Sequence, residues 1–204
     1  WLAFCRSKHW KHCTQETTSV LSGLQVIDCT TRQLVGAPST CEYVTLSYVW
    51  GQIPAGNLVS STLPDDLPNT VRDSIQAVLC LGYRYLWIDR FCVPQEAGPD
   101  RHRLINSMDI IYGNAALTLI AAAGEDPSHG LPGVDEKRTR RPQSSIKIND
   151  ITYVVVNLNP RTSILQSHWN TRGWTYQETL LSHRKLVFTE TGVYFQCGVM
   201  NCFE

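Results

Sequence analysis

Apolar runs alternate with helix-like stripes through the middle of the chain. Residues 43–48 (Tyr-Val-Thr-Leu-Ser-Tyr), 85–89 (Tyr-Leu-Trp-Ile-Asp) and 117–123 are apolar runs, the first two ending in polar residues. Continuous apolar runs bounded by turn residues predict strands buried on both faces. Between the first two, residues 67–81 carry Val71, Ile75, Val78 and Leu79 as an apolar stripe. Pro68 suits the first turn of that helix and Gly82 stops it. Residues 100–115 predict a second helix, with Asp100 as cap and Leu104, Met108, Ile111, Tyr112 and Ala115 on one face. Strands alternating with helices at this spacing indicate a parallel sheet, with ligands at the carboxyl ends of its strands. Those ends are Ser47-Tyr48-Val49-Trp50-Gly51, residues 89–95, and Ala123-Gly124-Glu125-Asp126.

The flanking pattern is different. Residues 1–14 predict a helix, with Leu2, Cys5, His9 and Cys13 repeating on one face. Residues 24–28 and 33–35 predict a hairpin around Thr-Thr-Arg, and residues 52–66 a loop holding Ser60-Ser61-Thr62. Residues 124–145 break the alternation and predict a mobile surface insertion, its basic run Lys137-Arg138-Thr139-Arg140-Arg141 solvated. Hairpins follow at 145–148/151–156, around Asn149-Asp150, and at 185–190/193–197, around Thr191-Gly192. Between them, residues 172–182 predict a short helix with Trp174, Gln177, Glu178 and Leu181 on one buried face. Boundaries fall at an N-terminal extension (1–42), a strand–helix core (43–123), an insertion (124–170) and a terminal segment (171–204).

Composition narrows the class. The 204 residues are 43% hydrophobic and 18% charged, which suits one soluble globular domain. Eighteen basic and eighteen acidic residues cancel, so no bulk field favours nucleic acid. No apolar run approaches the roughly 20 residues that span a bilayer. Trp1 to Cys5 form no secretory signal, and the absent initiator Met points to a piece of a longer chain. The eight cysteines are dispersed without a CxxC pair, so free thiols in a reducing cytoplasm are expected. Cys5, His9 and Cys13 could ligate zinc. A structural zinc takes four ligands, and no partner pair stands nearby in the sequence, so packing residues and no metal are the expectation.

Glu178 demands an explanation, because an unpaired buried charge is expensive. It either pairs with Arg172 or Arg184 in a structural ion pair or works at a site. Cys92 near Asp89 could suggest a thiol nucleophile with His102, His129 or His183 as base, but no local signature supports it. The absence of GxGxxG argues against a hydride-transfer site.

Four ordered motifs carry a resemblance: residues 43–51, residues 84–95 (Arg-Tyr-Leu-Trp-Ile-Asp-Arg-Phe-Cys-Val-Pro-Gln), residues 108–115 (Met-Asp-Ile-Ile-Tyr-Gly-Asn-Ala), and Arg172-Gly-Trp-Thr-Tyr-Gln-Glu178 through Leu180-Leu-Ser182. In this order they resemble the fungal heterokaryon-incompatibility (HET) domain. Val49 departs from it, standing where that family often has Cys, as does the stretch after Gln95. The family in turn resembles Toll/interleukin-1-receptor (TIR) domains, with Leu46-Ser47-Tyr48, Ile88-Asp89 and Trp174-x-x-x-Glu178 in matching order. The resemblance implies an α/β fold: a TIR- or flavodoxin-like, mostly parallel sheet flanked by helices, with added hairpins and a long insertion. It implies a cytoplasmic effector of programmed cell death that self-associates, meets an incompatibility partner protein, and binds neither nucleic acid nor membrane. It further implies cleavage of the nicotinamide–ribose bond of NAD, or a related nucleotide, as substrate and without a cofactor. Glu178 would be catalytic. Ser47, Tyr48, Trp50, Gly51, Asp89, Cys92, Gln95, Arg172, Trp174 and Gln177 would bind substrate. The alternative is a TIR-like scaffold that assembles without turnover.

Overall fold

The apolar runs form the middle of a mixed sheet. In the computed structural model, which describes residues 1–13, 20–51, 61–155 and 160–204, its strands are β1 (Gln25–Asp28), β2 (Gln33–Gly36), β3 (Tyr43–Ser47), β4 (Tyr85–Trp87), β5 (Leu117–Ala121), β8 (Arg184–Phe188), β9 (Val193–Cys197) and β10 (Asn201–Phe203). Their spatial order is β10-β9-β8-β5-β3-β4-β1-β2. A separate antiparallel pair joins β6 (Ser145–Ile148) to β7 (Ile151–Val154). Every residue of β3 and β5 is buried, as a sheet covered on both faces requires.

β4, β3, β5 and β8 are mutually parallel. Numbered along the chain, these four stand in the order 2-1-3-4, the flavodoxin-like arrangement, whose crevice opens between its first and third strands. Here that crevice lies at the carboxyl ends of β3 and β5. β8, expected only as half of a terminal hairpin, is therefore the fourth parallel strand, and β9 continues from it antiparallel. The β1–β2 hairpin extends the opposite edge through β4.

The helices are α1 (Leu2–Lys8), α2 (Trp10–Cys13), α3 (Asn69–Cys80), α4 (Asp89–Cys92), α5 (Pro99–Asn106), α6 (Met108–Gly113), α7 (Pro160–Gln166) and α8 (Thr175–Leu181), with a 3₁₀ turn at His168–Thr171. Local chemistry explains where they depart from the sequence pattern. The helix expected over 1–14 breaks at His9 (φ −110°, ψ 17°), and Thr14 lies outside the described residues. The helix expected over 100–115 breaks at Ser107, whose hydroxyl donates back to Arg103 O at 2.8 Å, a contact that competes with helical pairing. The apolar face survives the break, since Leu104, Met108, Ile111, Tyr112 and Ala115 are all buried. On α3, Val71, Ile75 and Val78 face the core, whereas Leu79 is 43% exposed and Pro68 sits at the cap, not inside the first turn. Of the loop expected at 52–66, residues 52–60 lie outside the described residues, as do Val156 of the second hairpin and the three residues after it.

The insertion is pinned. Arg138 donates to the buried Asp73 of α3 (Nε–Oδ2 2.7 Å) and to Asp135 (2.7 Å), and Leu131 N adds a bond to Asp73 at 2.8 Å. Leu131 is fully buried, Arg140 pairs with Glu204, and Arg141 N donates to Glu190 O. The basic run expected to be solvated is thus partly consumed in ion pairs, because α3 carries a buried carboxylate that needs a cation. Gly130 (φ +85°) allows this approach; a Cβ there would stand 2.5 Å from Asp73 Oδ2. The β6–β7 hairpin turns on Asn149 and Asp150, both at positive φ as a two-residue type I′ loop needs.

Among the described residues, no helix is long and apolar enough to cross a membrane.

Candidate functional site

Ser47 ends β3 at the mouth of the crevice. It lies on the same sheet face as Tyr43 and Thr45, because alternate strand residues share a face. That face meets α6 and α8: Tyr43 Oη donates to Ile111 O at 2.7 Å. Thr45 Oγ1 hydrogen-bonds Thr118 Oγ1 (2.7 Å), Thr118 Oγ1 bonds Ser182 Oγ (2.7 Å), and Ser182 Oγ donates to Glu178 O (2.6 Å). This buried hydroxyl ladder ties the end of α8 to the two strands that form the crevice.

α8 begins at Thr175, three residues after the expected start at Arg172, and its buried face is turned by one position from the expected one. Thr175, Glu178 and Ser182 are buried; Trp174 is the cap residue and 51% exposed, Tyr176 is exposed, and Gln177 and Leu181 are half-buried. The periodicity was right and its phase was not. Trp174 therefore lines the surface beside the helix, while Glu178, at 1% exposure, points into the protein.

The Glu178 carboxylate has two partners. Oε2 accepts a short hydrogen bond from Ser47 Oγ, and Oε1 lies 3.6 Å from Arg172 Nη2. Ser47 Oγ also accepts from Trp169 Nε1 at 2.7 Å, so indole, hydroxyl and carboxylate form a relay. Arg184 is elsewhere, donating to Cys5 Sγ and Ala116 O. Of the two cations read as possible partners, Arg172 is the one beside Glu178.

Asp89 opens α4 where the second strand was expected to continue. Its Oδ1 accepts from Arg90 N (2.8 Å) and Trp50 Nε1 (3.0 Å), which turns the chain out of the sheet. Asp89 is half-buried as a residue, with its carboxyl end enclosed. Burial pushes that carboxyl up to about 6, assisted by the negative charge of Glu178 and opposed by Arg90 N–H, Arg172 and Trp50. Tyr48, following Ser47, and Tyr112 of α6 are both buried. Burial pushes the Tyr112 phenol well above its ordinary range, and the charges of Glu178 and Asp89 push the same way. Among the described residues, six buried side-chain polar atoms lack a hydrogen-bond partner, and Tyr48 Oη, Tyr112 Oη and Arg172 Nη1 are three of them. Buried polar atoms are nearly always paired, so three orphaned donors around two carboxylates mark a site shaped for something polar.

The remaining residues named from sequence are placed differently. Cys92 is 1% exposed in the core, its sulfur accepting from Ile88 N, and burial pushes its thiol to about 12. A thiol held protonated in this way is no nucleophile. Gln95 closes the loop after α4 by donating to Arg90 O and Val93 O. Gly51 has φ +67°, and a Cβ there would stand 2.7 Å from Pro127 Cδ, so its place in the motif has a backbone reason. Trp50 is half-buried and held by Asp89. Trp169, Tyr112, Thr45, Thr118 and Ser182 carry no sign of a site in the sequence. Each reads as an ordinary core or helix residue along the sequence, and only the fold brings it to Glu178.

Asp89 gives a pH signature. Its folded pKa, about 6, exceeds the ordinary 3.8, so the folded state holds the proton more tightly and loses stability as pH rises from about 4 to about 6. Asp89→Asn keeps an acceptor for Trp50 and removes the titration. The stability difference between variant and wild type should grow by about 1–3 kcal/mol across that window and level off above it. Urea midpoints measured from pH 4 to 7.5 check this; a constant difference would remove the buried carboxyl from the site.

A family model described as Heterokaryon incompatibility protein (HET) matches residues 43–178, about two thirds of the chain, from the first residue of β3 to Glu178 itself. Comparisons with curated proteins and with solved structures find no match. The match agrees with the resemblance carried by the four motifs and supports a role in heterokaryon incompatibility. The chain belongs to the heterokaryon incompatibility (HET) family.

Proposed function

We propose that this domain is the effector of a programmed-cell-death response and acts by cleaving the nicotinamide–ribose bond of NAD at Glu178. One observation carries the reading. A buried carboxylate stands at the switch point of a flavodoxin-ordered sheet, among three buried donors that lack partners. Nicotinamide in NAD is already a cationic leaving group, so the bond breaks without a general acid. Its electron pair passes to the ring nitrogen, neutral nicotinamide leaves, and the ribose becomes oxocarbenium-like. Glu178 stabilises that cation electrostatically. Water then adds at the anomeric carbon and loses its proton to solvent. Tyr48 and Tyr112 supply donors for sugar oxygens, and Arg172 meets pyrophosphate charge.

The carboxylate is almost fully covered, so the ribose reaches it only when Arg172 and the segment leading into α8 shift. Gly173, which no other atom crowds, is a pivot for that shift. Turnover that waits on such a movement suits an effector that is silent until copies associate or a partner protein engages it. The second reading is a scaffold, and the Ser47–Glu178–Arg172 contacts favour it, since a satisfied carboxylate also serves structure. Nicotinamide release from NAD by concentrated or artificially oligomerised protein tests the choice. Release supports the enzyme; none under forced association leaves the scaffold.

A further inference from the structure

The first thirteen residues bury very little. Within α1 and α2 the fully buried residues are Cys5 and Cys13, while Trp1, Phe4 and Trp10 are exposed. Helices of seven and four residues do not persist on so small an apolar face. Arg6 bonds to Glu42 and Tyr83 and helps to hold the segment, yet Arg6 and Glu42 are themselves largely exposed. Exposed pairs contribute little.

Cys5 and Cys13 do not sit alone. Their sulfurs, an imidazole nitrogen of His9 and the sulfur of Cys197 all lie within 4.8 Å of one another. His9 Nδ1 is 3.5 Å from Cys197 Sγ, across 188 residues of sequence. A tetrahedral zinc with bonds of about 2.3 Å to sulfur and about 2.0 Å to nitrogen has a sulfur–nitrogen edge of about 3.5 Å. The backbone supports the arrangement: His9 N donates to Cys5 O (2.9 Å) and Cys13 N to His9 O (2.8 Å), so the three ligands stay in line through the helix break. All eight cysteines are free thiols.

Charge supplies a second, independent observation. Arg184 is 9% exposed, and among the described residues its side chain meets Cys5 Sγ (3.3 Å) and the Ala116 carbonyl, with no carboxylate. A buried guanidinium needs an anion. Three thiolates and one divalent cation carry a single negative charge, which Arg184 cancels.

We propose that Cys5, His9, Cys13 and Cys197 bind one zinc ion as a Cys3His structural centre that fastens the N-terminal segment to the end of β9. Three soft sulfurs and one imidazole in a tetrahedron select zinc over harder divalent ions. The sequence shows three of these ligands within nine residues; the fold supplies the fourth. The centre is structural, because all four positions are taken by protein.

The test is metal analysis of the full chain, purified without a polyhistidine tag. About one zinc per chain is expected, and cobalt replacement should give the strong thiolate charge-transfer and visible bands of a tetrahedral sulfur-rich site. A chelator should release the metal and lower the melting temperature together. Cys197→Ser should reduce zinc to background, while Cys80→Ser, at an exposed thiol outside the four-residue cluster, should leave it unchanged. Should Cys197→Ser fail to fold, the wild-type metal content and cobalt spectrum decide. Folded wild-type protein with background zinc and a chelator-insensitive melt would overturn the proposal, as would a disulfide joining any two of these cysteines.

Discussion

Glu178→Gln is expected to abolish nicotinamide release, by about 100-fold or more, in protein that remains folded. The expectation comes from the character of the transition state. A carboxylate placed against a developing cation in an enclosed site is worth several kcal/mol, and an amide of the same shape offers only a dipole. The structural cost should be smaller. Gln keeps an oxygen for the Ser47 hydroxyl and, being neutral, is cheaper to bury. What it forfeits is the contact with Arg172, at 3.6 Å a loose pair beside a guanidinium that is still 21% exposed. A midpoint shift near or below about 1 kcal/mol is therefore expected. Release assays and urea curves on the same preparation separate the two readings. Loss of turnover with stability kept identifies a working carboxylate; loss of folding in step with turnover identifies a structural ion pair.

Arg138→Met should destabilise the domain by about 3–5 kcal/mol, the largest effect expected of any surface-loop change here. Asp73 is fully buried in α3, and Arg138 supplies its countercharge through Nε and Nη2, with Leu131 N as the remaining donor. Without the guanidinium an ionised carboxylate stays in the core with one amide for company. Adding Asp73→Leu should recover most of the loss, since a buried pair replaced by apolar groups of similar volume is close to neutral. Denaturation midpoints of the single and double variants measure this coupling. A single-variant loss under about 1 kcal/mol would return the basic run to the solvated loop that its composition suggests.

These two residues show what the sequence discloses. Glu178 stood out because a carboxylate in an apolar helical setting violates patterning, and the rim at Ser47 followed from strands ending in polar residues. The α/β class followed from the same alternation. The phase of α8 did not, because Trp174 and Thr175 are both plausible first buried residues until a cap is chosen. Asp73 gave no signal either. It sits between Val71 and Ile75 on α3, where an acidic residue usually faces water, and its cation lies 65 residues on, in a stretch whose composition reads as loop. Trp169 and Tyr112 were invisible for the opposite reason: buried aromatics are what any core contains. Side-chain pairs far apart in sequence leave no periodic trace, so the partners of legible residues, more than the residues themselves, required the fold.

The strand order also governs when the molecule can take shape. β8 is the fourth parallel strand, yet it follows β5 by more than sixty residues of insertion, turn and helix. Pairings of such long range close slowly, because chain entropy is lost before contact is gained. During synthesis β3, β4 and β5 can emerge and pair before α8 is made. Ser182 can bond Thr118 once α8 is made, but the bond from Lys185 Nζ to Thr179 O forms only when β8 docks beside β5. The Glu178 site is accordingly among the last parts of the domain to exist, and a nascent or partly unfolded chain carries the residues of the proposed site without the site itself.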